Sequence, residues 1–149
     1  MNLDSSIEPI IVKKGAEVFS ISSEQFVFDA LTLMAEKRVG ALVVRDGDKL
    51  SGIFSERDYA RRVVLAGRSS REMKIKEIMS IDVVTVTRES TVSECMQHMT
   101  NRRCRHLPVM DGDKVVAVVS LGDLVNWIMS IQDKAIHELE GYIGGEYPG

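Results

Sequence analysis

The sequence predicts an α+β fold made of two tandem β-α-β-β-α repeats related by a pseudo-two-fold axis, sharing one core, with a long helix at the C-terminal end. The first observation is a motif: an apolar run breaking into Ser-x-x-Asp occurs as Gly52-Ile53-Phe54-Ser55-Glu56-Arg57-Asp58 and again as Ala117-Val118-Val119-Ser120-Leu121-Gly122-Asp123. The second is a register: residues 17–59 align with 82–124, 65 positions on, without a gap. Of those 43 positions 13 are identical, including the whole Asp-Gly-Asp-Lys turn. That is several times what shared composition gives, so the chain is a duplication. The third is size: a unit of about 50 residues has too little apolar face to stand alone, so the copies must pack on each other.

Taken in order, residues 1–16 form a lead-in, irregular or a short helix up to about Gly15, with Pro9 as a breaker. Repeat 1 is assigned to 17–67 and opens on the β-prone Val18-Phe19-Ser20-Ile21. Ser22 or Ser23 then caps a helix whose stripe is Val27, Ala30, Leu31 and Met34. Ala41-Leu42-Val43-Val44 is a short continuous apolar run, the mark of a buried strand. Asp46-Gly47-Asp48 supplies the turn, with Gly47 at positive φ, and Leu50 to Phe54 returns as the hairpin partner. Asp58 to Leu65 reads as helix, closed by Gly67.

A linker, 68–81, opening on the polar Arg68-Ser69-Ser70-Arg71-Glu72, leads to repeat 2 at 82–131. There Val83 to Val86 is the short strand, and Val92, Cys95, Met96 and Met99 are the helix stripe. Leu107 to Met110 and Val115 to Val119 flank the second Asp-Gly-Asp turn. After Asp123, residues Leu124, Ile128, Ile131, Ala135, Leu139 and Tyr142 fall at steps of three and four, one apolar face about five turns long. That face outruns the repeat. It packs on its own domain or against a helix of a second subunit. Residues 132–149 are the helix extension and a flexible tail, Gly144 to Gly149 being expected to be disordered.

Composition narrows the function. With 44% hydrophobic residues and a mean hydropathy of −0.02 the chain is an ordinary soluble globular sequence. A net charge of −3 and few aromatics argue against nucleic acid as a partner, even beside the Arg102–Arg105 patch. Cys95 and Cys104 form no CxxC pair, and three histidines are too few at the wrong spacing for a structural zinc site. The N-terminal residues are acidic without an apolar core, unlike a signal peptide, and no apolar run nears the ~18 residues that would span a membrane. A cytoplasmic setting with both thiols reduced is expected.

With both Gly/Ala-Ile/Val-x-Ser-x-x-Asp endings in view, the chain resembles a tandem cystathionine-β-synthase (CBS) domain pair of the stand-alone bacterial type. Val86-Thr87-Arg88-Glu89-Ser90-Thr91-Val92 and Arg105-His106-Leu107-Pro108-Val109 add to the match, which covers about residues 17–130. The resemblance implies a non-catalytic regulatory sensor that binds adenosine-containing ligands in two clefts between the repeats. It also implies a homodimer and an unknown downstream protein. AMP and NAD(H) are the first expectations, ATP and ADP the next. The alternative is a structural interaction module that dimerises and recruits a partner through its C-terminal helix.

One carboxylate can accept both hydroxyls of a ribose cis-diol, and Asp58 and Asp123 match the family's ribose-binding position. Ser55 and Ser120 stand where a helix begins and can hold a phosphate together with free backbone N–H groups. The same residues make a good capping box with no ligand at all, and spacing alone leaves both readings open.

By family geometry Arg105 and His106 reach phosphate in the Asp123 cleft; the equivalent residues of repeat 1 are Gly40 and Ala41, so the two clefts differ chemically. The Asp58 cleft has Arg57 in its own loop and borrows Arg103. The adenine is expected near Ser20 and Val39 in the first cleft, and near Met79, Thr85 and Cys104 in the second. Against this, the arginines fit a solvated helix end, His106 and Cys104 fit simple packing, and the methionines fit core. Asp58 and Asp123 lie in separate clefts, and His98, His106 and His137 have no nucleophile beside them, so an enzyme is not expected.

Overall fold

Two β-hairpins organise the molecule, and each turns where the sequence places a glycine. The computed structural model describes residues 3–15 and 17–143, with nothing said of the side chains of 142 and 143. In repeat 1, β2 (Ala41–Asp46) pairs antiparallel with β3 (Lys49–Ser55) around Gly47 at φ 66°. In repeat 2, β4 (His106–Asp111) pairs with β5 (Lys114–Ser120) around Gly112 at φ 60°. Positive φ costs glycine nothing, which is why the turn survives in both copies. A bulge after Val44 recurs after Val109, so the duplication extends to the irregularities.

The first strand of each unit is shorter than expected. β1 is only Ser20–Ile21, parallel to β2, and in repeat 2 the expected Val83–Val86 strand shrinks to one parallel bridge from Val86 to Val109. Val86 keeps both its backbone bonds, to Pro108 O and from Met110 N. Val83 and Val84 turn instead to the cleft between the repeats.

α2 (Val27–Lys37) and α4 (Val92–Arg102) carry the predicted stripes, with Val27, Ala30 and Met34 and then Val92, Cys95 and Met99 buried. The start of α2 differs from expectation. Phe26, not Ser22 or Ser23, is its N-cap residue, with Asp29 accepting from the Phe26 N–H at 3.3 Å. Ser22 and Ser23 are held instead by Asp46, which also takes the Ser51 hydroxyl at 2.7 Å. Those donors favour the anion and lower the Asp46 carboxyl to about 2. In repeat 2 the expected kind of cap is present: Thr91 Oγ1 accepts from Glu94 N at 3.0 Å.

The connectors cross over. α1 (Glu8–Lys14) places Ile10 and Ile11 in the core of repeat 2 with Leu107, Val109, Val119 and Leu124. The segment before repeat 2 places Met73, Ile75 and Ile78 in the core of repeat 1 with Phe54, Leu42 and Val27. The backbone bonds mirror this: Ile7 N donates to Ser90 O, and Val27 N to Met73 O, each at 2.9 Å. Pro9 therefore does not break structure. It sits in the first turn of α1, where its missing N–H costs nothing. Residues 68–81 open on a polar run, and their apolar members, Met73, Ile75, Ile78, Met79 and Ile81, keep helical spacing for less than two turns, too short a stretch to show which core they join.

α5 (Leu121–Ile143) starts in the repeat 2 core, with Leu124 fully buried and Trp127 and Ile128 packed beside it. Its second half lies free of this chain: Ile136 and Leu139 are more than half exposed, and Met129 with them. Tyr142 and the Gly144 to Gly149 tail fall outside the residues, or the side chains, that are described. Among the described residues no helix is long and apolar enough to cross a membrane.

Candidate functional site

β3 delivers the first motif. It ends at Ser55, where the chain turns into α3 (Glu56–Tyr59). Ser55 and Asp58 form a reciprocal cap: Asp58 N donates to Ser55 Oγ at 3.3 Å, and Ser55 N donates to Asp58 Oδ2 at 3.0 Å. The predicted Asp58–Leu65 helix is thus two pieces, α3 and a π-helical turn over Ala60–Val64. Asp58 is only 9% exposed, and its other oxygen takes the Ser80 hydroxyl at 3.1 Å. Ser80 arrives on the crossed connector, pinned by paired backbone bonds with Ile53 at 2.9 and 3.0 Å.

Gly52 makes that approach feasible. A Cβ there would stand 2.6 Å from the Ser80 carbonyl oxygen and 3.0 Å from Met79 Sδ. Gly52→Ala should therefore push the connector off β3, lowering stability by about 1–3 kcal/mol and loosening Ser80 from Asp58. Thermal melts compared with Gly47→Asn, which tests the turn and not the close approach, would check this.

Around Asp58 lies a cleft of about 1030 Å³ between the repeats. Six arginines line it (Arg57, Arg61, Arg62, Arg102, Arg103 and Arg105) against three acids, Glu56, Asp58 and Asp82. Arg102 is paired with Asp82 at 2.6 Å, Arg62 donates to the carbonyls of Ile78 and Met79, and Arg57 reaches across to the Arg103 carbonyl. Arg103 closes α4 in the left-handed region at φ 51°, as the equivalent Arg38 closes α2 at φ 56°. Val83, Val84, Met96, Met99 and Cys104 form the apolar wall. A cationic mouth over an apolar wall, with a carboxylate at its floor, can take an anionic ligand that carries a flat apolar group and hydroxyls.

Of the thirteen residues singled out from sequence, this cleft gathers Ser55, Arg57, Asp58, Arg103, Cys104, Arg105 and His106. Arg105 and His106, assigned by family geometry to the Asp123 cleft, line this one; a Cβ on Gly40 would sit 3.5 Å from the His106 ring. Cys104, expected on the second adenine wall, lies on the first. Ser20 is bonded to Arg45, Val39 packs on the repeat 1 core, Met79 packs on that core beside Gly52, and Thr85 is exposed. Sequence reasoning missed Arg61, Ser80, Val83 and Val84. Arg61 was legible as one turn beyond Asp58; the others depended on the crossover.

Asp123 sits in the equivalent cap, its Oδ2 accepting from Ser120 N at 2.8 Å and its N–H donating to Ser120 Oγ at 3.1 Å. It also holds Lys14 Nζ at 2.7 Å. Burial pushes its carboxyl up, but the Lys14 ammonium and the Ser120 donors outweigh that and leave it below the ordinary value. Burial lowers His106, helped by the charges of Lys14 and Arg105 and opposed by Asp123, so His106 is neutral at pH 7. Both cysteines are free, and burial lifts the Cys95 thiol to about 11, with Glu94 adding to it. Among the described residues no three His, Cys, Asp or Glu side chains gather as a metal site.

The fold and the cleft define a class: a duplicated α/β module with a ligand-sized cavity between its halves. The chain belongs to the CBS domain family, with residues 10–65 and 75–130 each matching the CBS domain. It is 38% identical over 131 residues to the mitochondrial CBS domain-containing protein CBSX3 of Arabidopsis thaliana, covering 85% of this chain and 64% of that protein. The chain thus spans just under two thirds of that relative's length. A solved CBS-domain protein of Burkholderia ambifaria superposes with a TM-score of 0.81 at 43% identity, over 85% of this chain and 95% of the other. The CBS domain pair of protein MJ0100, solved in complex with 5′-methylthioadenosine and S-adenosyl-L-methionine, shares the fold at a TM-score of 0.74 and 20% identity, over 85% of this chain and 97% of that one.

Proposed function

We propose that this protein is a regulatory module that binds an adenosine-containing nucleotide in the Asp58 cleft and carries out no catalysis of its own. The observation that carries this is the Asp58 carboxylate, held by neutral donors only, on the floor of a cleft lined by six arginines. The carboxylate suits a ribose diol, Arg61, Arg103 and Arg105 suit phosphate, and the Val83–Val84–Cys104 wall suits adenine. AMP and NAD(H) fit best, ATP and ADP next. The MJ0100 pair, with its two adenosine compounds, supports the ligand class. The setting we assign is reducing and cytoplasmic, in keeping with two free thiols.

Thermal shift against AMP, NAD, NADH, ADP and ATP tests this, since a ligand at a hundred times its Kd stabilises by about 2.7 kcal/mol. A rise in melting temperature with at least one of them is expected; no rise with any would end the nucleotide reading.

A second reading rests on α5. Its exposed Met129, Ile136 and Leu139 favour a homodimer or a partner protein on that face. Sedimentation of the chain with and without Leu139→Glu separates this role from nucleotide binding, because Leu139 is no part of the cleft lining.

A further inference from the structure

The two repeats present the same carboxylate in unlike states. Asp58 is held by Ser55 N–H at 3.0 Å and by the hydroxyls of Ser55 and Ser80, each at 3.1 Å. Asp123 is held by Ser120 N–H at 2.8 Å and by an ammonium, Lys14 Nζ, at 2.7 Å. The same ammonium donates to the Val118 carbonyl at 2.5 Å, so two acceptors fix it. Its carrier is anchored as well: α1 is held by buried Ile7, Ile10 and Ile11, and by the Glu8–Arg88 pair at 3.3 Å.

The crossover explains why a lysine stands there. Lys14 lies 65 positions before Met79, the offset that relates Asp58 to Asp123. Each connector thus runs past the carboxylate of the repeat on which it docks. The connector on repeat 1 offers that carboxylate a neutral hydroxyl from Ser80. The connector on repeat 2 offers a cation.

We propose that Lys14 is a built-in occupant of the second nucleoside position, holding the Asp123 carboxylate that a ribose diol would need, so that this cleft takes a nucleotide only when Lys14 lets go. The proposal rests on Asp58 and Asp123 being ribose acceptors, as set out above. Its physical basis is that a carboxylate bound to an ammonium gives up a charge-assisted bond to gain bonds from neutral hydroxyls. The pair is half-buried, with side-chain exposures of 37% and 25%, so water screens it less than an ordinary surface pair. The lowered Asp123 carboxyl and the Lys14 charge felt by His106 agree with a cation resident at this spot. The ligand then distinguishes two repeats that share the same motif: repeat 1 is open and repeat 2 is closed by its own chain.

The test is calorimetric titration of the full chain with AMP. Wild type is expected to bind one AMP per chain, and Lys14→Met two, the second-site Kd tightening by about tenfold or more. Lys14→Arg, which keeps the cation, should stay at one. Adding Asp123→Asn to Lys14→Met should return the count to one, which places the new site at that carboxylate. Melting curves followed through the single tryptophan, Trp127, show that each variant is folded. If wild type binds one AMP and Lys14→Met also binds one, the occupant role is wrong while the nucleotide reading stands. If neither binds AMP, both fall.

Discussion

Asp58→Asn should weaken nucleotide binding by about tenfold to a hundredfold while leaving the fold close to wild type. The carboxylate offers two anionic oxygens to the hydroxyls of a diol, and a hydrogen bond to a charged group contributes about 1.5–3 kcal/mol. The amide offers one acceptor and one donor, so one of the two hydroxyls loses its partner. Each 1.4 kcal/mol lost is a factor of ten in Kd, which sets the lower end of the range. Asparagine is the informative choice because its side-chain oxygen can still accept from Ser55 N–H and so keep the capping box closed. Asp58→Ala would also strip the partners from Ser55 N–H and the Ser80 hydroxyl, confounding binding with stability. Calorimetry with AMP alongside a melting curve separates the two effects. An unchanged Kd would return Asp58 to a purely capping role, the other reading of its spacing.

Phe54→Ala should be among the most damaging single changes to stability, at about 3–5 kcal/mol. Phe54 is fully buried and heads the large side chains of the repeat 1 core, against Leu42, Val44, Val63, Met73 and Ile78. Truncation leaves a cavity between the sheet and the crossed connector, and neither can collapse freely into it. The connector is held by backbone bonds at both ends, to Gln25 and to Ile53. With a urea m-value of about 1–3 kcal/mol/M for a protein of this size, the midpoint should fall by at least about 1 M. Phe54 immediately precedes Ser55, so nucleotide affinity should fall with it. A midpoint within about 0.3 M of wild type would mean that β3 is not anchored through this ring.

These two residues also mark how far sequence alone could go. Phe54 and Asp58 were both legible, one as the inward member of an apolar strand and the other as the third residue after a serine at a helix start. The cap is present, as spacing predicted, and the carboxylate that makes it also lines a cleft. What could not be read was which cations serve which carboxylate. Arg105 and His106 were assigned to Asp123 because they precede the strand of its own repeat. They line the Asp58 cleft as well, because the start of β4 lies beside the start of β2, a Cβ on Gly40 standing 3.5 Å from the His106 ring, while His106 still feels the Asp123 charge. The lead-in and the linker each carry one short i, i+3, i+4 set, Ile7-Ile10-Ile11 and Ile75-Ile78-Met79, too brief to say which repeat it would join, and they supply Ile10, Ile11, Ile75 and Ile78 to the two cores.

The sequence by itself determined the duplication, both hairpins, the stripes of α2 and α4, and the two Ser-x-x-Asp caps. Each of these is decided within a few residues, by a glycine at positive φ, an apolar period or an i to i+3 bond, and local chemistry survives whatever the rest of the chain does. The tertiary structure alone decided how the surroundings of the two aspartates differ. Lys14 meets Asp123 across 109 positions, and Arg57 meets the Arg103 carbonyl across 46. Such contacts depend on the repeat against which each connector docks. By crossing over, the connectors bring Ser80 to one carboxylate and Lys14 to the other, and equivalent aspartates acquire unequal neighbours.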